Sequence, residues 1–300
     1  MKWRKIGRIF VPDGSTWWMQ THAASPIPLS QGGKRVRILV SGRDGSSRAR
    51  IGVIECSLRA PHNVIVAPEP LCDLGEPGTF DENGMVGGCV AYNGTRTLIY
   101  YSGFQLGQTV PFWFFGGLLE SEDGCRTAQR HSKAPVLDRT DVDPIIAGAP
   151  WVLREAEAWR MWYTSGVRWT YENGTPRHYY HIKYAESDDG VHWRRDGRIA
   201  INFRNGEYAI GRPCVLRDGD RYRMWYSYRG AAYRIGYAES ADGLVWQRRD
   251  DEAGIAVSQS GWDASMVEYA AVFDHAGARW MLYNGDGYGR SGLGLAVLAS

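Results

Sequence analysis

Short apolar and aromatic segments recur along the chain and are separated by polar turns. The clearest pair is RMWYTS at residues 160–165 and RMWYSY at 223–228, with weaker copies at 37–42, 98–103 and 280–285. Segments of this length that mix aromatic and apolar residues between turn signals are typical of β-strands. The pattern therefore predicts an all-β protein built from repeated units.

Two further patterns repeat in step with the first. IKYAESDDGVHW at 182–193 matches IGYAESADGLVW at 235–246, with a fainter copy at 117–124. PWVLR at 150–154 matches PCVLR at 213–217, and segments 88–91 and 270–273 are related to them. Each unit therefore contains a strand, a turn, an aromatic strand, a loop, a third strand, an Asp-Gly turn and a strand that begins with tryptophan.

The spacing of the aromatic strands predicts the number of units. Tyr101, Tyr163, Tyr226 and Tyr283 follow one another at intervals of 62, 63 and 57 residues. Units of this size in a chain of 300 residues predict a five-bladed β-propeller of four-stranded antiparallel blades. We expect one domain over residues 1–300, with blades at about 20–78, 79–140, 141–205, 206–261 and 262–300 together with 1–12.

The start of the chain resembles a segment from its middle. WRKIGRIF at 3–10 is similar to WRRDGRIA at 193–200, which follows a repeated strand, whereas the final strand at 292–297 has no such segment after it. The N-terminal strand is therefore expected to supply the outer strand of the last blade. This pairing would close the propeller and leave no open blade edges.

The Asp-Gly turns and the tryptophans after them have a mechanical explanation. Glycine accepts a positive φ angle, and aspartate bonds nearby backbone amides, so Asp-Gly suits a tight turn. We expect Trp193 and Trp246 to pack between neighbouring blades. The total of 13 tryptophans and 17 tyrosines also leaves a surplus that suits a cavity for sugar rings.

Composition narrows the class of protein. The chain is 44% apolar and 23% charged with a net charge of +2, so it lacks the strongly basic charge balance that is typical of nucleic-acid-binding proteins. No apolar stretch approaches 18 residues, which predicts no membrane span, and the N-terminus has no apolar region of a secretory signal. Five scattered cysteines without a Cys-x-x-Cys pair indicate reduced core residues in a cytoplasmic protein without a metal site. We expect no cofactor.

Acidic residues recur at matched positions before the predicted inner strands, whose starts are placed near Pro26, Gly88, Pro150, Pro213 and Ala270. Six or seven residues before the last four of these stand Asp81, Asp143, Glu207 and Asp263. The first blade has Met19 at this position, with His22 closer to the strand. Acidic residues also cap turns before strands, so a structural role is the alternative.

Carboxylates around one cavity would push their pKa values apart, so that one acid stays protonated while another is ionised. Cleavage of a glycosidic bond needs such a pair. On this hypothesis Asp81 is the base and Glu207 is the general acid. Asp143 and Asp263 would tune the pKa values and hold sugar hydroxyls.

Cationic and imidazole groups are expected at the rim of the same cavity. Arginine binds phosphate and carboxylate oxygens in a bidentate manner, which suits a phosphate or an acidic sugar. An ion pair between Arg212 and Glu207, or a purely structural His181, would explain those residues equally well. The predicted substrate-binding residues are His22, Arg212, Arg229, Glu82, Glu268, Arg168 and His181.

The segment RPCVLRDGDRYRMWYS at 212–227, then IGYAESADGLVW at 235–246 and the region from 261 onward resemble the five-bladed propeller superfamily of glycoside hydrolases. That superfamily includes families 43, 32/68 and 130, and the chain is most similar to its uncharacterised hydrolase-like members. The resemblance covers essentially the whole chain. It implies a propeller, a carbohydrate substrate and, for the hydrolase, inverting acid-base chemistry.

The chain departs from those families at two places. Families 43 and 32 place a catalytic aspartate at the start of the first blade, where residues 21–26 contain no acid. The Glu-Cys-Pro motif is also absent, since residues 211–214 read Gly-Arg-Pro-Cys. The phosphorylase branch, which combines one acid with arginine and histidine for phosphate, is more similar in this respect.

The predicted function is that of a carbohydrate-active enzyme, similar to a glycoside hydrolase, that cleaves or transfers a glycosidic linkage. One alternative is a glycoside phosphorylase or a glycosyltransferase of polysaccharide biosynthesis. Another is a sugar-binding propeller without catalysis. The expected partner is a small carbohydrate or glycosyl substrate, with phosphate as a second ligand in the phosphorylase case.

Overall fold

A computed structural model describes residues 1–29, 35–156 and 158–299. These residues form β-strands joined by turns, with one short 3-10 helix at Asp250–Glu252. No helix in the described ranges is long and apolar enough to cross a membrane.

The strands group into five consecutive four-stranded units, which we number 1 to 5. Unit 1 contains β2 (Thr21–Leu29), β3 (Val36–Arg43), β4 (Ala49–Ser57) and β5 (Ala60–Val66), and unit 2 contains β6 (Gly84–Asn93), β7 (Arg96–Leu106), β8 (Phe112–Ser121) and β9 (Gln129–Arg130). Unit 3 contains β10 (Ala147–Arg154), β11 (Trp159–Glu172), β12 (Thr175–Ser187) and β13 (Ile199–Ile201). Unit 4 contains β14 (Ala209–Asp218), β15 (Arg221–Arg229), β16 (Tyr233–Ser240) and β17 (Gln247–Arg248).

Unit 5 is assembled from both ends of the chain. It contains β18 (Glu268–His275), β19 (Ala278–Asn284), β20 (Leu293–Leu298) and the first strand, β1 (Trp3–Phe10). β1 pairs antiparallel with β20, with Trp3 opposite Leu298 and Phe10 opposite Leu293. The predicted pairing of the N-terminal strand is therefore confirmed.

Within every unit the sequential strands pair antiparallel. We call β2, β6, β10, β14 and β18 the inner strands. They begin two to five residues earlier than predicted. The sequence estimate was wrong here because the repeated Pro or small residue marks a bulge inside each strand.

The bulge has the same geometry in four units. Ser25, Ala149, Arg212 and Tyr269 have φ angles of 51°, 45°, 53° and 56°, and Gly87 stands at the corresponding place in unit 2. A positive φ angle is uncommon for residues other than glycine. Its recurrence at one repeat position shows that a neighbouring group holds the backbone there.

That neighbour is a side chain from the preceding unit. The backbone N–H of Arg212 donates to Thr164 at 3.3 Å, and that of Ser25 donates to Asn284 at 3.0 Å. The remaining bulges donate in the same way: Gly87 to Ser41, Ala149 to Ser102, and Tyr269 to Ser227. Each unit is thereby linked to the next along the chain, and unit 5 is linked to unit 1.

Aromatic residues fill the interfaces between units. The Tyr100 hydroxyl donates to the Gly190 carbonyl at 2.8 Å, and its ring lies 6.1 Å from that of Trp193. The Trp162 indole donates to Gly243 at 2.9 Å and meets Trp246 edge-on. The structural role predicted for the two tryptophans after the Asp-Gly turns is confirmed.

Candidate functional site

Asp81 is fully buried in unit 2 and has donors from two strands. It accepts hydrogen bonds from the Tyr101 hydroxyl at 2.8 Å and from Nε of Arg130 at 2.7 Å. Tyr101 stands on β7 and Arg130 on β9. The carboxylate thus ties the loop before the inner strand to the second and fourth strands of the same unit.

Asp143 repeats this arrangement in unit 3, where it is also fully buried. It accepts from Tyr163 at 2.8 Å and from Ser165 at 2.6 Å, and it pairs with Lys183 at 3.2 Å and Arg195 at 3.0 Å. The tyrosine follows the aspartate by 20 residues, as it does in unit 2. Two cations and two hydroxyls saturate this carboxylate.

Asp263 does the same in unit 5 with a cation from the other end of the chain. It accepts from Tyr283, again 20 residues later, at 3.2 Å and pairs with Lys5 of β1 at 2.6 Å. Burial, and then the adjacent carboxylate, raises the pKa values of Tyr101, Tyr163 and Tyr283. The tyrosines therefore stay protonated as donors.

Unit 4 uses two carboxylates in place of one. The Tyr226 hydroxyl donates to Asp250, and Arg248 donates to both oxygens of Glu207 at 2.8 Å and to Asp250 at 2.8 Å. We call these groups the carboxylate clamps: Asp81, Asp143, Asp263 and the Glu207–Asp250 pair, with their cations. The matched spacing in the sequence thus marks a repeated brace, while the catalytic roles assigned to these acids stay predictions.

Arg212 is buried at the bulge of β14 and reaches across to two other units. Its Nη1 donates to the Gly88 carbonyl and its Nη2 donates to the Pro26 carbonyl at 3.4 Å. Burial lowers the pKa of Arg212 to about 10, so the side chain remains cationic at neutral pH. The ion pair with Glu207 that the sequence left open is wrong, since Arg248 occupies that carboxylate.

Glu268, the first residue of β18, is a different kind of acid. Its side chain is fully buried, and among the described residues neither carboxyl oxygen forms an ion pair or a hydrogen bond of good geometry, although the Tyr269 hydroxyl and the Tyr288 backbone amide lie close. Burial raises the pKa of Glu268 well above its ordinary value, and this effect outweighs the opposing influence of Arg229, the Tyr269 hydroxyl and the Tyr288 backbone amide. Burial therefore favours the protonated form of this carboxyl.

Arg229, at the end of β15, lies next to this acid. Its Nη1 donates to the Tyr288 hydroxyl at 2.8 Å, and its guanidinium lies 5.5 Å from the Tyr208 ring and 5.4 Å from the Tyr233 ring. Tyrosine faces are favourable surfaces for a cation. The aromatic rings hold this charge without neutralising it.

Tyr288 stands in a turn with three successive positive φ angles: 76° at Gly287, 60° at Tyr288 and 90° at Gly289. Such backbone is uncommon for a bulky residue and is often found at functional sites. The Gly289 carbonyl accepts from the backbone N–H of Ala23 at 3.0 Å. The turn at 286–290 therefore contacts unit 1 directly beside His22.

His22 is half-buried and has a φ angle of 61°. Burial, followed by the charges of Arg43 and Arg290, lowers its pKa to about 4. The imidazole is therefore neutral at physiological pH. We call the region of His22, Arg43, Arg229, Glu268 and the 286–290 turn the mouth.

A series of aromatic contacts leads from the mouth toward units 3 and 2. The hydroxyls of the buried Tyr180 and Tyr233 share a hydrogen bond, and the ring of Tyr180 stacks on His178 at 5.0 Å. His178 in turn lies 4.8 Å from Trp169 and 5.3 Å from Phe112. Burial lowers the pKa of His178 to about 4, so this aromatic cluster is uncharged at neutral pH.

The remaining predicted binding residues have other surroundings. Glu82 is half-exposed and accepts from the backbone N–H of Gly78 at 2.7 Å, and Arg168 is exposed and stacks on Tyr179 at 4.0 Å. His181 is buried, approaches Asn202 at 3.2 Å and stacks on Phe203, and burial lowers its pKa. Of the seven predicted binding residues, the structure brings His22, Arg229 and Glu268 to the mouth.

Three mouth residues were not predicted: Arg43, Tyr288 and Arg290. Arg43 ends the second strand of unit 1, as Arg229 ends that of unit 4, and Arg290 lies in the turn after the second strand of unit 5. Arginines at or after the ends of second strands are the pattern in the sequence that could have indicated Arg43 and Arg290. They were missed because positions were counted only from the inner strands.

Several solved glycosidase structures have a similar propeller fold, which confirms for the fold the resemblance in the sequence. A BT0996–RGII complex matches with a TM-score of 0.77 at 17% identity, over 99% of this protein and 91% of that one. A thermostable family-43 glycoside hydrolase matches with 0.70 at 17% identity, over 93% and 90%. A member of the GH130 family of mannoside phosphorylases matches with 0.71 at 13% identity, over 97% and 90%.

Relatives in sequence show the family. The chain is 43% identical over 300 residues to the uncharacterised protein MT1551 of Mycobacterium tuberculosis, and this match covers 99% of each chain. The uncharacterised protein Rv1502 of Mycobacterium tuberculosis matches at the same identity and coverage. The chain therefore belongs to the family of these two mycobacterial proteins. No protein-family model matches it.

Proposed function

We propose that this chain is a five-bladed β-propeller enzyme that acts on a glycosidic linkage or glycosyl derivative. Units 1 to 5 would be the blades of one domain. The hydrogen bonds from each bulge to the preceding unit support the ring, because they also join unit 5 to unit 1. The likeness in fold to a family-43 glycoside hydrolase and to the GH130 family supports the substrate class.

The observation that carries the proposal is the complete burial of the Glu268 carboxyl, which raises its pKa and favours the protonated form. Glycosidic cleavage needs a neutral acid beside the leaving oxygen, and enzymes keep one neutral by burying it. Glu268 meets this condition, whereas Glu207 receives two hydrogen bonds from Arg248. We therefore assign the general acid to Glu268 in place of the sequence candidate Glu207.

Substrate must reach this acid from the mouth. The carboxyl of Glu268 is covered, while Tyr288 above the site is 38% exposed and is held by the bond from Arg229. On this proposal the sugar displaces Tyr288 and takes its place beside Arg229. The half-buried rings of His178, Trp169 and Phe112 would then receive further rings of the substrate.

Leaving-group dependence tests the assignment. A panel of aryl glycosides with phenols of different acidity is assayed with the wild type and with Glu268→Gln. We expect the variant to lose 10²- to 10⁴-fold in kcat on poor leaving groups and little on dinitrophenyl glycosides, which need no proton. Each substrate is assayed with and without inorganic phosphate, since only a phosphorylase releases a sugar 1-phosphate.

Matched variants make the result specific. Glu122→Gln changes an exposed carboxylate that pairs with Arg96 on the surface and should leave all rates unchanged. Glu207→Gln and Asp81→Asn test the pair predicted from the sequence. Equal losses of Glu268→Gln across all leaving groups, or a leaving-group pattern in Glu207→Gln instead, would exclude Glu268 as the acid.

A further inference from the structure

Three arginines from three units surround the mouth. Arg43 lies opposite Thr21 in the pairing of β2 with β3, and Arg290 follows the Gly289 carbonyl that binds the Ala23 amide. His22 therefore lies between the strand of Arg43 and the turn of Arg290. The hydrogen bond from Arg229 to Tyr288 brings the third arginine to the same turn.

These arginines differ from those of the carboxylate clamps. Arg130, Arg195 and Arg248 each pair with a buried carboxylate within 3.0 Å. Within the described ranges, no carboxylate lies within 4.0 Å of a guanidinium nitrogen of Arg43, Arg229 or Arg290.

The other titratable groups of the mouth offset only part of that charge. Burial favours the protonated form of Glu268 and keeps His22 neutral. Asp286 is the acid within the turn, and its Oδ1 accepts the backbone amides of Ser265 and Met266 at 2.9 Å each. Three arginines therefore outnumber the one aspartate of the mouth, and such a net positive field attracts and holds anions.

Guanidinium groups favour phosphate and carboxylate oxygens, which they bind through paired N–H donors. We propose that the mouth binds the oxyanion of an anionic glycosyl substrate, a phosphate or carboxylate group held by Arg43, Arg229 and Arg290. That the anion is carried on a sugar rests on the proposed function. The binding of the anion itself depends on the arginines and not on Glu268.

Calorimetric titration of the intact protein at low ionic strength tests this site with four probes: inorganic phosphate, glucose 6-phosphate, glucuronic acid and glucose. We expect an anionic probe to bind and glucose to bind at least tenfold more weakly. Equal affinity for inorganic phosphate and glucose 6-phosphate would identify free phosphate as the source of the anion. Preference for glucuronic acid would identify a sugar carboxylate.

Substitutions test the contribution of Arg43 and Arg290 to this binding. Arg43→Gln and Arg290→Gln should each weaken the affinity for the anion at least tenfold. Arg290→Lys keeps the positive charge but loses the paired N–H donors of the guanidinium, so its affinity should fall between theirs and that of the wild type. Arg59→Gln, on the exposed β4–β5 turn, is the matched control. Melting curves of all variants confirm that they are folded.

The inference is overturned if glucose binds as tightly as the anions, or if the anions bind the two glutamine variants as tightly as the control. Glu268→Gln separates this result from the proposed function. It should keep the anion affinity of the wild type even where it abolishes protonation of the leaving group. If Glu268→Gln loses activity equally on all leaving groups but binds the anions as the wild type does, the acid assignment alone is overturned.

Discussion

The carboxylate clamps and the mouth contain the same kinds of side chain, but in the part of the chain that the structure describes, acids and cations form ion pairs in the clamps and not at the mouth. In the clamps, every carboxylate pairs with a cation, such as Asp81 with Arg130 at 2.7 Å. At the mouth, Glu268 is equally buried but forms no ion pair among the described residues, and its pKa is raised. Paired charges brace the fold, and unpaired ones mark the place where a ligand can complete them.

Position relative to the strands separates the two regions. Asp81, Asp143, Glu207 and Asp263 precede the inner strands and bind side chains of their own unit, as Asp81 binds the second and fourth strands of unit 2. Glu268 is within an inner strand, next to the bulge at Tyr269, and its neighbours come from the 286–290 turn and from β15. The clamps therefore act within units, while the mouth joins residues of units 1, 4 and 5.

The largest expected effect comes from breaking a clamp. Asp143→Ala would leave Lys183 and Arg195 buried without their partner, with side chains only 10% and 9% exposed. Removal of one partner of a buried ion pair costs about 3–5 kcal/mol. Urea unfolding at neutral pH measures the loss, with the exposed Asp220→Ala as the control. A loss below about 1 kcal/mol would show that the clamps do not stabilise the fold.

A smaller effect is expected from the link between units 5 and 1. Asn284 accepts from Ser25 at 3.0 Å and donates to the carbonyls of Ala23 at 2.8 Å and Gly292 at 2.9 Å. Asn284→Ala should cost about 2–3 kcal/mol, because buried backbone groups lose their partners. Ser227→Ala removes the equivalent single bond to Tyr269 and should cost about 1 kcal/mol. Equal losses in the two variants would contradict a special role for the junction of units 5 and 1.

The smallest effect, and one of opposite sign, is expected at Glu268. Its folded pKa lies above the ordinary value of 4.5, so the folded state holds a proton that the unfolded chain releases as pH rises. The wild type therefore loses stability above pH 4.5 until the folded pKa is reached. Glu268→Gln removes this loss and should be more stable than the wild type at about pH 7–8, by a margin that shrinks toward about pH 5. Urea unfolding across this range measures it, and destabilisation that grows with pH would refute the protonated state.

The repeat architecture was accessible from the sequence because each unit carries its own local pattern. Aromatic strands, Asp-Gly turns and the similarity of segment 3–10 to 193–200 located all five units and the pairing of β1 with β20. The spacing also identified the clamp acids as equivalent. Local physics produces these features, so a single sequence contains them.

The partners of those acids were not accessible in the same way. Arg130 stands 49 residues from Asp81, Arg195 stands 52 residues from Asp143, and Lys5 stands 258 residues from Asp263. Nothing in the local sequence indicates that these cations will neutralise the predicted catalytic groups. The raised pKa of Glu268 likewise depends on complete burial, which only the packed units create.

The mixed origin of unit 5 has a consequence for how the protein is made. β1 is synthesised first, yet its buried residues Trp3 and Ile9 have their neighbouring strand only once β20 has left the ribosome. Units 1 to 4 can fold one after another during synthesis, since each consists of consecutive strands. Unit 5 instead imposes a final, long-range closing step, and the nascent chain must keep an apolar strand unpaired until that step is reached.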